Sequence, residues 1–139
     1  MLSWFLKEST EDAMKLNHLN LTVSDVRSAQ AFLKTHFGFE PAFGSTQDDP
    51  VAVLTDDSGL LLSIMNPQNQ DEVSYPGMFH IGFMQDSRAE VDAVYQRLSD
   101  AGFKAKPAHE FHGSYTFYVK APGGFTVEVL SWAGNPDGN

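Results

Sequence analysis

Residues 15–23, KLNHLNLTV, alternate apolar and polar side chains with period two. That spacing predicts a half-buried strand with Leu19, Leu21 and Val23 turned to a core. The opposite face carries His18, Asn20 and Thr22 in a row. The pattern then changes period. Val26, Ala29, Phe32 and Leu33 recur at helical spacing. Ser24 or Asp25 opens this helix, and Gly38 before Phe39 closes it by supplying the left-handed residue of a C-terminal cap. The stretch VLTDDSGLLLSIM reads as two strands around a tight turn at Gly59.

The same succession returns after the polar segment NPQNQDEVSYP, residues 66–76. LNHLNLTVSDVRSAQAFLKTHFGFEPA lies over MFHIGFMQDSRAEVDAVYQRLSDAGFKAKPA with His18 on His80. Asp86 or Ser87 opens the second helix, and Ser87 with Glu90 forms an S-x-x-E capping pattern. Val91, Val94, Tyr95 and Leu98 make its apolar stripe, and Gly102-Phe103 ends it. YVKAPGGFTVEVL repeats the hairpin with Gly124 over Gly59. Each half therefore reads strand, helix, strand, strand, strand. A unit of about 60 residues struggles to bury such a sheet alone, whereas two can do so together. The expected fold is α+β: two βαβββ modules forming a curved mixed sheet around a cleft. The expected divisions are an extension at 1–14 containing a short helix, modules at 15–65 and 77–132, a linker at 66–76 and a tail at 133–139.

Composition narrows the picture. A chain of 139 residues with 42% apolar side chains can bury a sizeable core. A net charge of −9 without a basic run argues against nucleic acid and anionic membranes as partners. No apolar run approaches the roughly 20 residues of a membrane-spanning helix. The opening MLSWFLKESTEDAM lacks the basic start and cleavage site of a signal peptide. Cysteine is absent, which excludes thiolate ligands, disulfides and a cysteine nucleophile and suits the cytoplasm.

The repeat also brings together chemistry that is weak residue by residue. A lone histidine on a strand is more often a surface residue than a ligand. Glu128, amid Phe125, Val127, Val129 and Leu130, is more telling, because a carboxylate on an apolar strand is costly unless paired or bound to a cation. The cleft-lining strands carry His18, Ser63, His80 and Glu128 at repeat-related positions. Two imidazoles and one carboxylate form a facial triad with open positions, a set used by iron(II) and also by manganese, zinc or nickel.

These motifs carry a resemblance. LNHLNLTVSDVRSAQAFLKTHFGF, FHIGF and TFYVKAPGGFTVEVL resemble the vicinal oxygen chelate superfamily, the group of glyoxalases, bleomycin-resistance proteins and extradiol dioxygenases. The resemblance implies a paired-module fold, a divalent metal on His18, His80 and Glu128, and a small-molecule substrate held through neighbouring oxygens. It also implies a homodimer, whose cleft closes either within one chain or by exchange of modules between two, since the linker at 66–76 is long enough for both.

Among members, lactoylglutathione lyase uses a fourth protein ligand, where this chain has Ser63. Fosfomycin-resistance transferases need several cations, which the region after Glu128 lacks. HEFHGSYTFYVKAPGGFTVE approaches the closing region of extradiol dioxygenases. By that resemblance Tyr118 hydrogen-bonds a substrate oxygen, His112 or His109 moves a proton, and the metal is iron(II). Tyr115, Phe111, Phe43, Met65 and Ser63 are the expected pocket residues. A dioxygenase-like reaction is the leading expectation; a glyoxalase-like lyase or isomerase and a non-catalytic drug-binding protein are the alternatives.

Overall fold

A computed structural model describes residues 13–46, 48 and 50–134. Most of the expected extension, including its short helix, and the end of the tail lie outside the described residues.

The first module comprises β1 (His18–Thr22), α1 (Val26–Phe37), β2 (Glu40–Pro41), β3 (Val51–Thr55) and β4 (Leu61–Met65). The second comprises β5 (Ile81–Met84), α2 (Arg88–Asp100), β6 (His109–Phe111), β7 (Ser114–Lys120) and β8 (Thr126–Ser131). Local chemistry sets the helix ends. Asp25 accepts from the Ser28 amide to start α1, and Gly38, at φ 75°, ends it. Ser87 accepts from the Glu90 amide to start α2, while its hydroxyl donates to the Glu90 carboxylate.

Each module forms a four-stranded sheet, in the orders β1-β4-β3-β2 and β5-β8-β7-β6. The opening strand runs parallel to the closing one, and the other pairs are antiparallel. The two sheets share no strand pair. The curved sheet expected around one cleft is therefore present within a chain as two separate halves.

One face of each sheet enters a common core. Leu21, Leu54, Leu62 and Ile64 of the first module and Val91, Leu98, Phe117 and Val127 of the second are all essentially inaccessible and belong to one cluster. The seam between modules is largely aromatic. Phe32 meets Phe103 edge-on at 5.0 Å, and Phe37 stacks on Phe83 at 4.4 Å. Polar contacts tie the same seam: Arg97 donates to the His36 carbonyl at 2.7 Å, and the Ser24 amide to Gly123 at 3.0 Å. The linker is pinned as Tyr75 donates to the Thr22 carbonyl.

The other face of each sheet is left open. In the first module it carries His18, Asn20, Leu61, Ser63, Met65, Val51 and Val53, which share one side by register. In the second it carries Gly82, Glu128, Tyr118, Thr116 and His109. Val51, Met84 and Phe111 are among the exposed large apolar residues on these faces. Among the described residues, no helix is long and apolar enough to cross a membrane.

Candidate metal and substrate site

Glu128 sits mid-strand on β8, with Val127 and Val129 buried in the core on either side. Alternation turns its carboxylate to the open face, where it is 8% exposed. The β5 residue paired with it is Gly82, so no side chain covers the carboxylate from that strand. His80, just before β5, fills the adjacent space, with Nε2 3.1 Å from Glu128 Oε1.

The protonation pattern of His80 follows from its other nitrogen. Nδ1 lies 2.9 Å from the Met78 carbonyl oxygen, which can only accept, so Nδ1 carries a proton. Nε2 is left facing a carboxylate oxygen. That contact calls for one positive charge between the two groups, either a proton or a metal ion. Two donor atoms each about 2.1 Å from one ion at right angles stand about 3.0 Å apart. His80 and Glu128 thus offer two donors at a spacing that one divalent cation accepts.

His18 repeats this arrangement in the first module. Its Nδ1 lies 3.2 Å from the Leu61 carbonyl, which leaves Nε2 as the outward donor. It does not join the other two within one chain. Among the described residues, no group of three or more His, Cys, Asp or Glu stands close enough to hold a metal. His80 and Glu128 share the second sheet's open face, and His18 is exposed on the first. Of the two closures the sequence allows, the described residues of one chain do not bring all three donors to one cleft. The helix-bearing faces share a core, and the two sheets are not joined.

A cavity of about 210 Å³ adjoins the His80–Glu128 pair, lined by Gly77, Met78, Phe79, His80, Phe111, Tyr118 and Thr126. Tyr118 pairs across the ladder with Glu128 and meets the His80 ring edge-on at 5.4 Å. Burial, then its hydrogen bond to Glu128 and that carboxylate's charge, hold the Tyr118 pKa above the ordinary phenol value. The phenol is a proton donor at neutral pH. Phe111 closes another wall, 6.5 Å from the Tyr118 ring.

The other expected residues are distributed differently. Tyr115 lies on the core-side face of β7, donates to Asp92 at 2.7 Å and has the Arg88 guanidinium over its ring at 4.9 Å. It does not line the cavity. The alternation along β7 puts Tyr115 and Tyr118 on opposite faces. His109 shares the open face beside Thr116, with Nδ1 3.0 Å from the Pro107 carbonyl. His112 occupies a left-handed turn position, φ 53°, against the Phe111 ring. Neither histidine lines the cavity. Ser63 and Met65 lie on the first sheet's open face, and Phe43 sits at a turn after β2, 81% exposed. These three also lie outside this cavity.

Sequence reasoning missed Thr116. It is fully buried, and its hydroxyl donates to Glu128 Oε2 at 2.7 Å. The signal was available: Ser114, Thr116 and Tyr118 place hydroxyls at alternate positions on the same face as Glu128. Met78, Phe79 and Thr126 were missed as well.

Residues 15–129 match the Glyoxalase/Bleomycin resistance protein/Dioxygenase superfamily. Among solved structures, a possible glyoxalase from Bacillus cereus is 46% identical, covers 85% of this chain and 99% of its own, and superposes with a TM-score of 0.75. A lactoylglutathione lyase from Agrobacterium tumefaciens is 22% identical over 87% of this chain and 96% of its own, TM-score 0.68. A fosfomycin resistance protein from Mesorhizobium loti is 17% identical over 84% and 91%, TM-score 0.66. These last two share the fold. A search of curated proteins finds no match.

Proposed function

The chain belongs to the Glyoxalase/Bleomycin resistance protein/Dioxygenase superfamily, and from that premise we propose that it is a metal-dependent, dioxygenase-like enzyme acting on a small organic substrate held through two neighbouring oxygens. The observation that carries this reading is the His80 Nε2–Glu128 Oε1 contact of 3.1 Å, with Nδ1 of the same ring already committed to a carbonyl. His80, Glu128 and a His18 would hold the ion, iron(II) by preference, with manganese, zinc or nickel as alternatives. When bound, the ion supplies Lewis acidity and open positions for neighbouring substrate oxygens.

His18 comes from a second copy of the chain. Three features support a homodimer with exchanged modules. No chain gathers the three donors among its described residues. The two sheets of one chain share no strand pair. Val51, Met84 and Phe111 leave apolar surface on the open faces. Ser63 then stands opposite the site as a neutral wall, and Met65 and Phe43 come from the same borrowed module. The cysteine-free composition suits a reducing cytoplasm, where iron(II) persists.

The chain's own residues supply the rest. Tyr118 keeps its proton, donates it in a hydrogen bond to Glu128 in the free protein, and would turn it to a substrate oxygen beside His80. Phe111, Phe79 and Met78 offer apolar walls for a planar ring. His109, with Nε2 free of any described partner, or His112 moves the proton. A catechol-like substrate fits these walls, and the acidic chain disfavours a phosphorylated one.

A glyoxalase-like lyase or isomerase is the second reading, favoured by the 46% identity to the structure described as a possible glyoxalase. Anaerobic loading with iron(II), zinc, nickel or manganese, followed by a catechol panel and a methylglyoxal–thiol adduct, separates them. Ring cleavage with oxygen uptake on iron alone supports the dioxygenase. Turnover of the adduct on zinc or nickel without oxygen uptake reverses the ranking.

A further inference from the structure

We propose that the crevice between the two modules binds a small aromatic monocarboxylate, with Arg97 taking the carboxylate and Phe37 and Phe83 the ring. The site is independent of the metal reading above, because it shares no described lining residue with the cavity beside His80.

The crevice encloses about 310 Å³. The end of α1 gives it His36 and Phe37, β5 gives Phe83 and, just past its end, Gln85, and α2 gives Val94 and Arg97. Alternation along β5 turns Phe83 away from the open face that Gly82 shares with Glu128, so the crevice lies on the other side of that sheet. Its wall is aromatic. Phe37 of one module stacks on Phe83 of the other at 4.4 Å, and both rings are only half-buried. Such a pair offers apolar surface against which a further planar ring packs.

The charge at the crevice is opposite to that of the chain. There are 18 acidic residues against 9 lysines and arginines, yet the described lining holds a guanidinium and no carboxylate. Arg97 makes no ion pair among the described residues. Asp100, the acid one turn further along α2, accepts from Gln96 at 2.9 Å instead. Arg97 Nη2 donates to the His36 carbonyl at 2.7 Å. That carbonyl is one of those left over at the end of α1, and the bond holds the planar guanidinium in place. Its other N–H groups keep the fork geometry that takes a carboxylate through two bonds. Gln85 Nε2 spends one hydrogen on the Met84 carbonyl at 3.1 Å and has a second to give. Burial, then the charge of Arg97, lowers the His36 pKa, so that ring adds no second charge at neutral pH. A single cation matches a monoanion, whereas a phosphate or a dicarboxylate would bring charge that the lining leaves unmatched.

The test titrates the isotope-labelled full-length chain, without added metal, with benzoate and follows the backbone amide shifts. Residues 36–38, 83–85 and 94–97 should respond saturably. Benzyl alcohol keeps the ring and lacks the charge, and it should bind at least about tenfold more weakly, the worth of one charge-assisted contact. Arg97→Gln should weaken benzoate by a similar factor and leave benzyl alcohol unchanged, a difference that loss of a purely structural contact would not produce. Should that variant fail to fold, the two ligands compared on the wild-type chain decide alone. No saturable response, a response confined to residues 77–80 and 118 beside the metal site, or equal affinity for the two ligands would overturn the inference.

Discussion

His80 Nε2 and Glu128 Oε1 stand 3.1 Å apart across the parallel pair β5–β8, with Gly82 leaving the carboxylate uncovered between them. Replacing Glu128 by Gln removes the anionic donor but keeps its shape and its contact with Thr116. Metal affinity, read by competition with a chelator, should fall at least about 100-fold, beyond the 10–100-fold that loss of an outer-shell partner costs. Affinity within a few-fold of wild type would remove Glu128 from the ligand set.

Mixing two defective chains tests where the third ligand comes from. His18→Ala and Glu128→Ala each destroy every site in their own homodimers. If modules are exchanged, a heterodimer of the two joins the intact His18 of one chain to the intact His80 and Glu128 of the other. Co-refolded mixtures should then bind one metal ion per heterodimer. If each site is built within one chain, the mixture binds none.

Tyr118→Phe keeps the ring against His80 and removes the donor. Turnover should drop by about 10²–10³-fold, the cost of removing one donor at developing charge, with metal affinity lowered by no more than the about 10–100-fold that loss of a partner to a ligating carboxylate costs. A variant with wild-type kcat would reduce Tyr118 to a wall of the pocket.

Gly123 sits in the β7–β8 turn at φ 100°, and a Cβ there would come within 2.8 Å of Val23 Cβ. Gly123→Ala should therefore destabilise the fold by about 2–4 kcal/mol, combining backbone strain with overpacking. The clash falls at the seam between modules, so urea unfolding should show it even without metal.

Stability should fall as the pH rises above about 10. The Tyr115 phenol is held above its ordinary value of 10.0, first by its hydrogen bond to Asp92, and burial does the same for Tyr75. Above pH 10 the unfolded chain releases these protons while the native state keeps them, so ΔG of unfolding declines. Tyr115→Phe should flatten the urea-midpoint slope between pH 10 and 11. An unchanged slope would mean that Tyr115 titrates alike in both states.

The period-two and helical patterns, the caps at Asp25 and Ser87 and the stops at Gly38 and Gly102 were all legible in the sequence, because each depends on neighbours within a turn or a strand. The internal repeat carried the two-module fold and singled out His18, His80 and Glu128 without a structure. Strand alternation also separates Tyr115 from Tyr118, and with that signal followed through, Tyr115 would not have been expected in the pocket. Other relationships needed the tertiary structure. Pairing register put Thr116 diagonal to Glu128 and Gly82 beside it, and register depends on which strands meet, not on either strand's own pattern. The distance of His18 from His80 and Glu128 within one chain likewise follows from the aromatic seam of Phe32, Phe37, Phe83 and Phe103. Burial of apolar surface is non-directional, so a periodic pattern names the face that is buried but not what is buried against it.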